Sequence, residues 1–178
     1  MKYKMLNVKD LATIAMCIAI AVVLGKVLGI FHRILPFSRN VINAPFFSFI
    51  ITMMLYKVRK PGAISLFAIA YGFIMARMSM FGMLSIMAGG VAADIVLSII
   101  LRDFRSDIKV AVFTPIYSVC SFISTFIVTT LFIKTSVFNS GGAIAMIIGA
   151  VSVYVAGAIG AFLAMRLYQT RISKIIAN

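Results

Sequence analysis

Six apolar runs, each ended by a short charged or Pro/Gly-bearing connector, constrain this chain more than any other feature. They lie at about 11–31, 41–56, 62–76, 79–101, 110–133 and 143–167. At 63% hydrophobic over 178 residues, a water-soluble domain has too little interior to hide the apolar surface, so the expected solvent is a bilayer. In lipid the backbone must satisfy its own hydrogen bonds, which makes an all-α bundle of six transmembrane helices the expected fold. Residues 1–178 then form a single integral membrane domain with almost nothing left over for a soluble catalytic unit.

Charge sets the expected orientation. With the N-terminus inside, twelve of the seventeen Lys and Arg fall on the cytoplasmic side, among them Lys9, Lys57, Arg59, Lys60, Arg102, Lys109 and Arg166. The other side keeps Lys26, Arg33, Arg39, Arg77 and Lys134. The excess sits in short segments close to helix ends, where the positive-inside rule applies, so both termini are expected in the cytoplasm of a multi-pass plasma-membrane protein. Met1–Asp10 leads straight into a run of spanning length without a small-residue cleavage site behind it, so the first span itself is expected to direct insertion. A net charge of +13 raises the question of nucleic acid, but the basic residues are dispersed and form no stripe with interleaved aromatics. Anionic lipid headgroups are the plainer partner.

The first span carries two small-residue faces. Ala12, Ala15 and Ala19 form one; Ala21, Gly25 and Gly29 form another at every fourth residue. Small faces let helix backbones approach closely in lipid, so one stripe suits packing within the chain and the other suits a partner protein. Asn7 is placed to cap this helix, with Asp10 in its first turn.

Six spans, cytoplasmic termini, the AxxxA motif Ala15-Met16-Cys17-Ile18-Ala19 and the polar connector behind it resemble the substrate-binding S component of an energy-coupling factor (ECF) transporter. The segment Gly89-Gly90-Val91-Ala92-Ala93-Asp94 resembles the Trep-Strep branch of that group. The resemblance implies an ECF S-component-like bundle that captures a vitamin, vitamin precursor, metal or other micronutrient from outside. It also implies partners: a transmembrane coupling subunit, docked through Ala15 and Ala19, and two cytoplasmic ATPase subunits. The sequence has no GxxxxGK[ST] phosphate loop, so ATP hydrolysis is expected only in those partners.

Polar groups at membrane depth are expensive and mark candidate sites. Lys26, His32, Arg33, Arg39 and Arg77 fall on the outer side with Asn43, which predicts a cationic rim suited to a small anionic ligand. Snorkelling to lipid phosphates is the competing role. In the fifth span Ser118, Ser121, Thr125 and Thr129 form a hydroxyl stripe, whose inner members suit packing and whose outer members, Thr125 and Thr129, suit a pocket. Tyr71 and Tyr154 offer stacking surfaces. Met75, Met78, Met80, Met83 and Met87 cluster around the third connector; Met83 is the pocket candidate, and with His32 the group raises haem as one ligand, against plain apolar packing. Asp94, in the inner half of the fourth span, is expected to pair with Arg102 or with a base from another helix.

Cys17 and Cys120 lie in apolar runs without metal-ligand spacing, so neither a disulfide nor a bound metal or other cofactor is expected. The chain contains one His and four acidic residues, three of them at cytoplasmic ends beside Lys and Arg, so no acid/base pair assembles and an enzyme is not expected. Two alternatives to the capture subunit stand. A stand-alone secondary carrier predicts an internal repeat, which the sequence lacks, and Gly-broken helices, for which Gly82, Gly89 and Gly90 qualify the fourth span. A non-transport membrane assembly protein is the other.

Overall fold

The computed structural model describes residues 6–32, 39–77, 79–101, 106–133 and 142–172. In chain order the helices are α1 (Val8–His32), α2 (Arg39–Val58), α3 (Ala63–Met75), α4 (Met80–Leu101), α5 (Asp107–Phe113), α6 (Ile116–Ile133) and α7 (Gly142–Leu167), the last prolonged by a π-helical turn over Tyr168–Ile172. No strand occurs among the described residues. Five helical stretches are long and apolar enough to cross a membrane: Val8–Gly29, Asn40–Val58, Met80–Leu101, Asp107–Phe132 and Met146–Thr170. The architecture therefore fits a transmembrane bundle.

The expectation of six full spans needs one correction. At 13 residues α3 is about 20 Å long, short of the roughly 30 Å hydrocarbon core. It nevertheless returns the chain from one end of the bundle to the other, antiparallel to α4: Gly62 and Ser65 meet Asp94, Ala68 meets Gly90, and Gly72 meets Met87. The expected fifth span is present as the single spanning stretch Asp107–Phe132, with a turn at Thr114 and Pro115 that divides it into α5 and α6. Pro115 has no N–H to continue the helix ladder, and the chain restarts through Tyr117 N–H to the Thr114 carbonyl at 2.9 Å and Ser118 N–H to the Pro115 carbonyl at 3.0 Å.

One end of the bundle is tied by polar contacts. Asn7 holds the cap position of α1: its carbonyl accepts from the N–H groups of Asp10 and Leu11, and the Asp10 carboxylate accepts in return from the Asn7 N–H at 2.8 Å. The same carboxylate takes Lys60 at 2.6 Å, joining the α2–α3 turn to α1. Arg59 reaches Asp107 at 2.9 Å and the Tyr56 hydroxyl donates to the Asp107 carbonyl at 2.9 Å, joining that turn to α5. The turn is tight enough to put two residues in the left-handed region. Gly62, at φ 87°, takes that conformation without steric cost, whereas Arg59, at φ 47°, holds it through Nε donation to the Tyr56 carbonyl.

Asp94 finds partners that its sequence did not announce. It is only 4% exposed, and its two carboxylate oxygens accept from the backbone N–H groups of Gly62 (3.3 Å) and Ser65 (3.0 Å). A residue of α4 thus caps the N-terminus of α3 across the helix interface, where Gly62 supplies no side-chain cap and the helix dipole favours an anion. Among the described residues its partners are these backbone donors, and the expected partner Arg102 lies outside the described residues.

The neighbouring glycines set helix spacing and do not interrupt α4, which runs unbroken from Met80 to Leu101. A Cβ on Gly89 would lie 2.6 Å from Cα of Ser121 in α6, and one on Gly90 would overlap the Ala68 side chain in α3. On the far side of the bundle, a Cβ on Gly160 would sit within the Pro45 carbonyl, which fixes how closely α2 and α7 cross. Below these crossings lies a solid core of Ile14, Ile18, Ile51, Met54, Leu55, Ile64, Phe67, Leu97 and Val110. That core fills the tied end and leaves the opposite end open.

Candidate functional site

A cavity of about 380 Å³ occupies the open end, between α1, α2, α3, α4 and α6. Each element delivers its lining for a local reason. The inward face of α1 is the stripe Ala21, Gly25 and Gly29: Ala21 is fully buried, a Cβ on Gly25 would come within 3.0 Å of the Tyr71 hydroxyl, and Gly29 faces open space. Replacing any bulky residue by glycine at 25 and 29 is what leaves room there. From α2 come Asn40, Asn43, Ala44 and Phe47, one or more per turn along a single face. Tyr71 and Met75 stand at the end of α3. Ser79 caps α4 by accepting from the Gly82 N–H at 3.1 Å, and Phe81, Gly82, Ser85 and Ile86 of that first stretch line the wall. The hydroxyl stripe of α6 supplies Ser118, Ser121, Thr125 and Thr129, with Tyr117 and Phe122 beside them.

The floor is closed by a buried hydrogen bond of 3.0 Å between Ser48 and Ser118, which sews α2 to α6. Phe47 and Tyr71 pack at 5.5 Å between ring centroids, tilted by 60°, and form an aromatic corner. Around these rings the polar groups are uneven in kind. Ser85 donates to the Phe81 carbonyl at 2.9 Å and Thr125 to the Ser121 carbonyl at 2.8 Å, so both hydroxyls have spent their proton on their own helix and turn only lone pairs elsewhere. The Asn43 Oδ1 atom is buried with no hydrogen-bond partner among the described residues.

The residues expected to form a site divide clearly. Asn43, Thr125 and Thr129 come together in the cavity lining, and Tyr71, expected as a stacking surface, joins them. Lys26 and Arg77 are exposed at the same end and are not lining residues, because Lys26 points away from the Gly25/Gly29 face and Arg77 sits in the turn beyond α3. Met83 is also outside the lining; it belongs to the α3–α4 seam, where its carbonyl faces Gly72. Tyr154 lies elsewhere, its hydroxyl donating to the Val112 carbonyl at 3.0 Å in the α5–α7 contact. The side chains of His32 and Arg39, with Arg33 and Lys134, lie outside the described residues. The described lining carries no charged side chain. Among the described residues no cluster of His, Cys, Asp or Glu is arranged to hold a metal ion.

Sequence reasoning passed over Asn40, Phe47, Ser79 and Ser85. Asn40 had a readable signal, since it precedes Asn43 by three residues and so shares its helix face. The inward role of Gly25 and Gly29 was one of two equal possibilities until packing chose between the stripes. The other stripe is exposed: Ala12, Ala15 and Ala19 lie on the outside of α1, where Ala19, Ile20, Val23 and Leu24 form a shallow apolar groove. Comparison with protein-family models, curated proteins and solved structures returned no match for this chain.

Proposed function

We propose that this protein is a substrate-capturing membrane subunit that takes a small micronutrient into the open-end cavity and hands it on through a partner complex, as an ECF S component does. The observation that carries the reading is the cavity itself. It has the volume of a small-molecule site, opens at one end of an otherwise solid apolar bundle, and gathers Asn and hydroxyl groups where lipid-facing packing alone would place none. The cavity end carries the minority of the basic residues, and the twelve-to-five charge distribution supports a reading in which the opening faces outside and both termini are cytoplasmic.

A coupling subunit and two ATPase subunits complete the proposal. Support for the docking role of Ala15 and Ala19 is that they are exposed on the helix whose spanning window is the least buried of the five, at 17% against 50% for α2. A helix so lightly held by its own bundle offers close approach to another helix. The deciding experiment is mass spectrometry of small molecules retained by the purified protein, followed by uptake of the compound found in vesicles with and without partner ATPases. A retained compound whose uptake requires ATP supports the reading. Uptake driven by an ion gradient alone makes the protein a secondary carrier, and a purified protein that retains nothing and transports nothing overturns the capture role.

A further inference from the structure

We infer that the cavity selects an uncharged ligand carrying N–H donors, of the carboxamide or lactam kind, rather than an organic acid or an amine; this rests on the capture reading above. Three features of the lining converge. The hydroxyls of Ser85 and Thr125 are committed as donors to the Phe81 and Ser121 carbonyls, so toward a ligand they accept only. Asn43 adds an acceptor, Oδ1, that has no partner among the described residues. A carboxylate or phosphate entering this lining would find only neutral amide and hydroxyl donors, such as those of Asn40, Asn43 and Thr129, and no basic side chain of the described lining would offset its desolvation. A cation is disfavoured on different grounds, since the described lining holds no carboxylate and Lys26 and Arg77 add positive charge at the same end.

Asn43 explains why an amide is favoured among neutral ligands. Its side chain forms no hydrogen bond among the described residues, so turning the amide about its last torsion sacrifices none. Whichever way it turns, it presents one donor and one acceptor side by side, and a carboxamide or cyclic amide offers the matching pair. The Phe47–Tyr71 corner supplies apolar faces for a planar ring attached to that group.

The test uses three probes of one size and shape: nicotinamide, nicotinate and 3-(aminomethyl)pyridine, which are neutral, anionic and cationic at neutral pH. Binding to the detergent-purified full chain is read by saturation-transfer NMR, for wild type, Asn43→Leu and Thr125→Val, with unfolding temperature measured alongside. The expected result is nicotinamide binding at least about tenfold tighter than either charged probe, with the preference lost in Asn43→Leu while the protein stays folded. Thr125→Val, which removes a lone-pair acceptor, weakens nicotinamide and leaves nicotinate no worse. If nicotinate or the amine binds as well as nicotinamide and still depends on Asn43, the neutral-amide inference fails while the cavity remains a capture site. If no probe binds and no small molecule co-purifies, both the inference and the capture reading fall.

Discussion

Asp94 shows how the cost of a buried charge places a residue before its partners are known. A carboxylate at membrane depth needs partners, and here two backbone N–H groups at the start of α3 provide them. Asp94→Ala strands both donors and is expected to lower stability by about 1–3 kcal/mol, whereas Asp94→Asn keeps one acceptor and loses less. Unfolding temperatures of the two variants in detergent check this, and equal losses would assign the effect to charge alone. The glycines make a sharper pair. Gly160→Ala drives a methyl group into the Pro45 carbonyl and is expected to cost about 1–3 kcal/mol, whereas Gly29→Ala meets nothing within 4 Å and is expected to be neutral or to stabilise by up to about 1 kcal/mol through helix propensity. The same thermal assay separates them.

At the scale of elements, α1 and α3 do opposite jobs. Short α3 is held on both sides, by Asp94 and Gly90 from α4 and by the Gly25 face of α1, and its buried residues include Ile64, Phe67 and Tyr71. Long α1 turns Ile14, Ile18 and Ala21 inward and leaves Ala15, Met16, Ala19, Ile20 and Val23 outside. Replacing Ala15 and Ala19 together by Trp is therefore expected to leave unfolding temperature within about 2–4 °C of wild type, because neither site is enclosed by the bundle. On the proposed capture reading, the same change weakens co-purification with a coupling subunit. Retained co-purification with ATP-dependent uptake intact would move the docking face elsewhere on the bundle.

For the whole molecule, the ends differ in construction. Ion pairs and a dense core close the end that holds Asp10, Lys60 and Asp107, and a cavity opens the other. With the cavity facing outward, an impermeant thiol reagent is expected to label a cysteine at Ser79 in intact cells and to label one at Ser106 only after permeabilisation, in a Cys17→Ala, Cys120→Ala background. Labelling at Ser106 in intact cells would invert the topology and leave the cavity open to the cytoplasm.

Sequence alone determined the all-helical class, the approximate position of the six apolar runs and which residues cannot be in water, because apolar runs and backbone satisfaction in lipid are local properties that one stretch of residues carries by itself. It also marked Asn43, Thr125 and Thr129, since a polar side chain in an apolar run is conspicuous wherever it points. Tertiary packing decided the rest. Two alanine and glycine stripes on α1 are indistinguishable in sequence, and only the meeting of Gly25 with Tyr71 turned one inward and left Ala15 and Ala19 outside. Lys26 and Arg77 share an end with the cavity without lining it, because depth along a helix follows from residue number whereas direction around the bundle follows from which neighbours crowd each face. The cavity exists for the same reason: side chains at the tied end fill the space between helices, and at the open end Gly25, Gly29, Gly82 and Ala44 from three different helices leave a gap that no single segment could reveal.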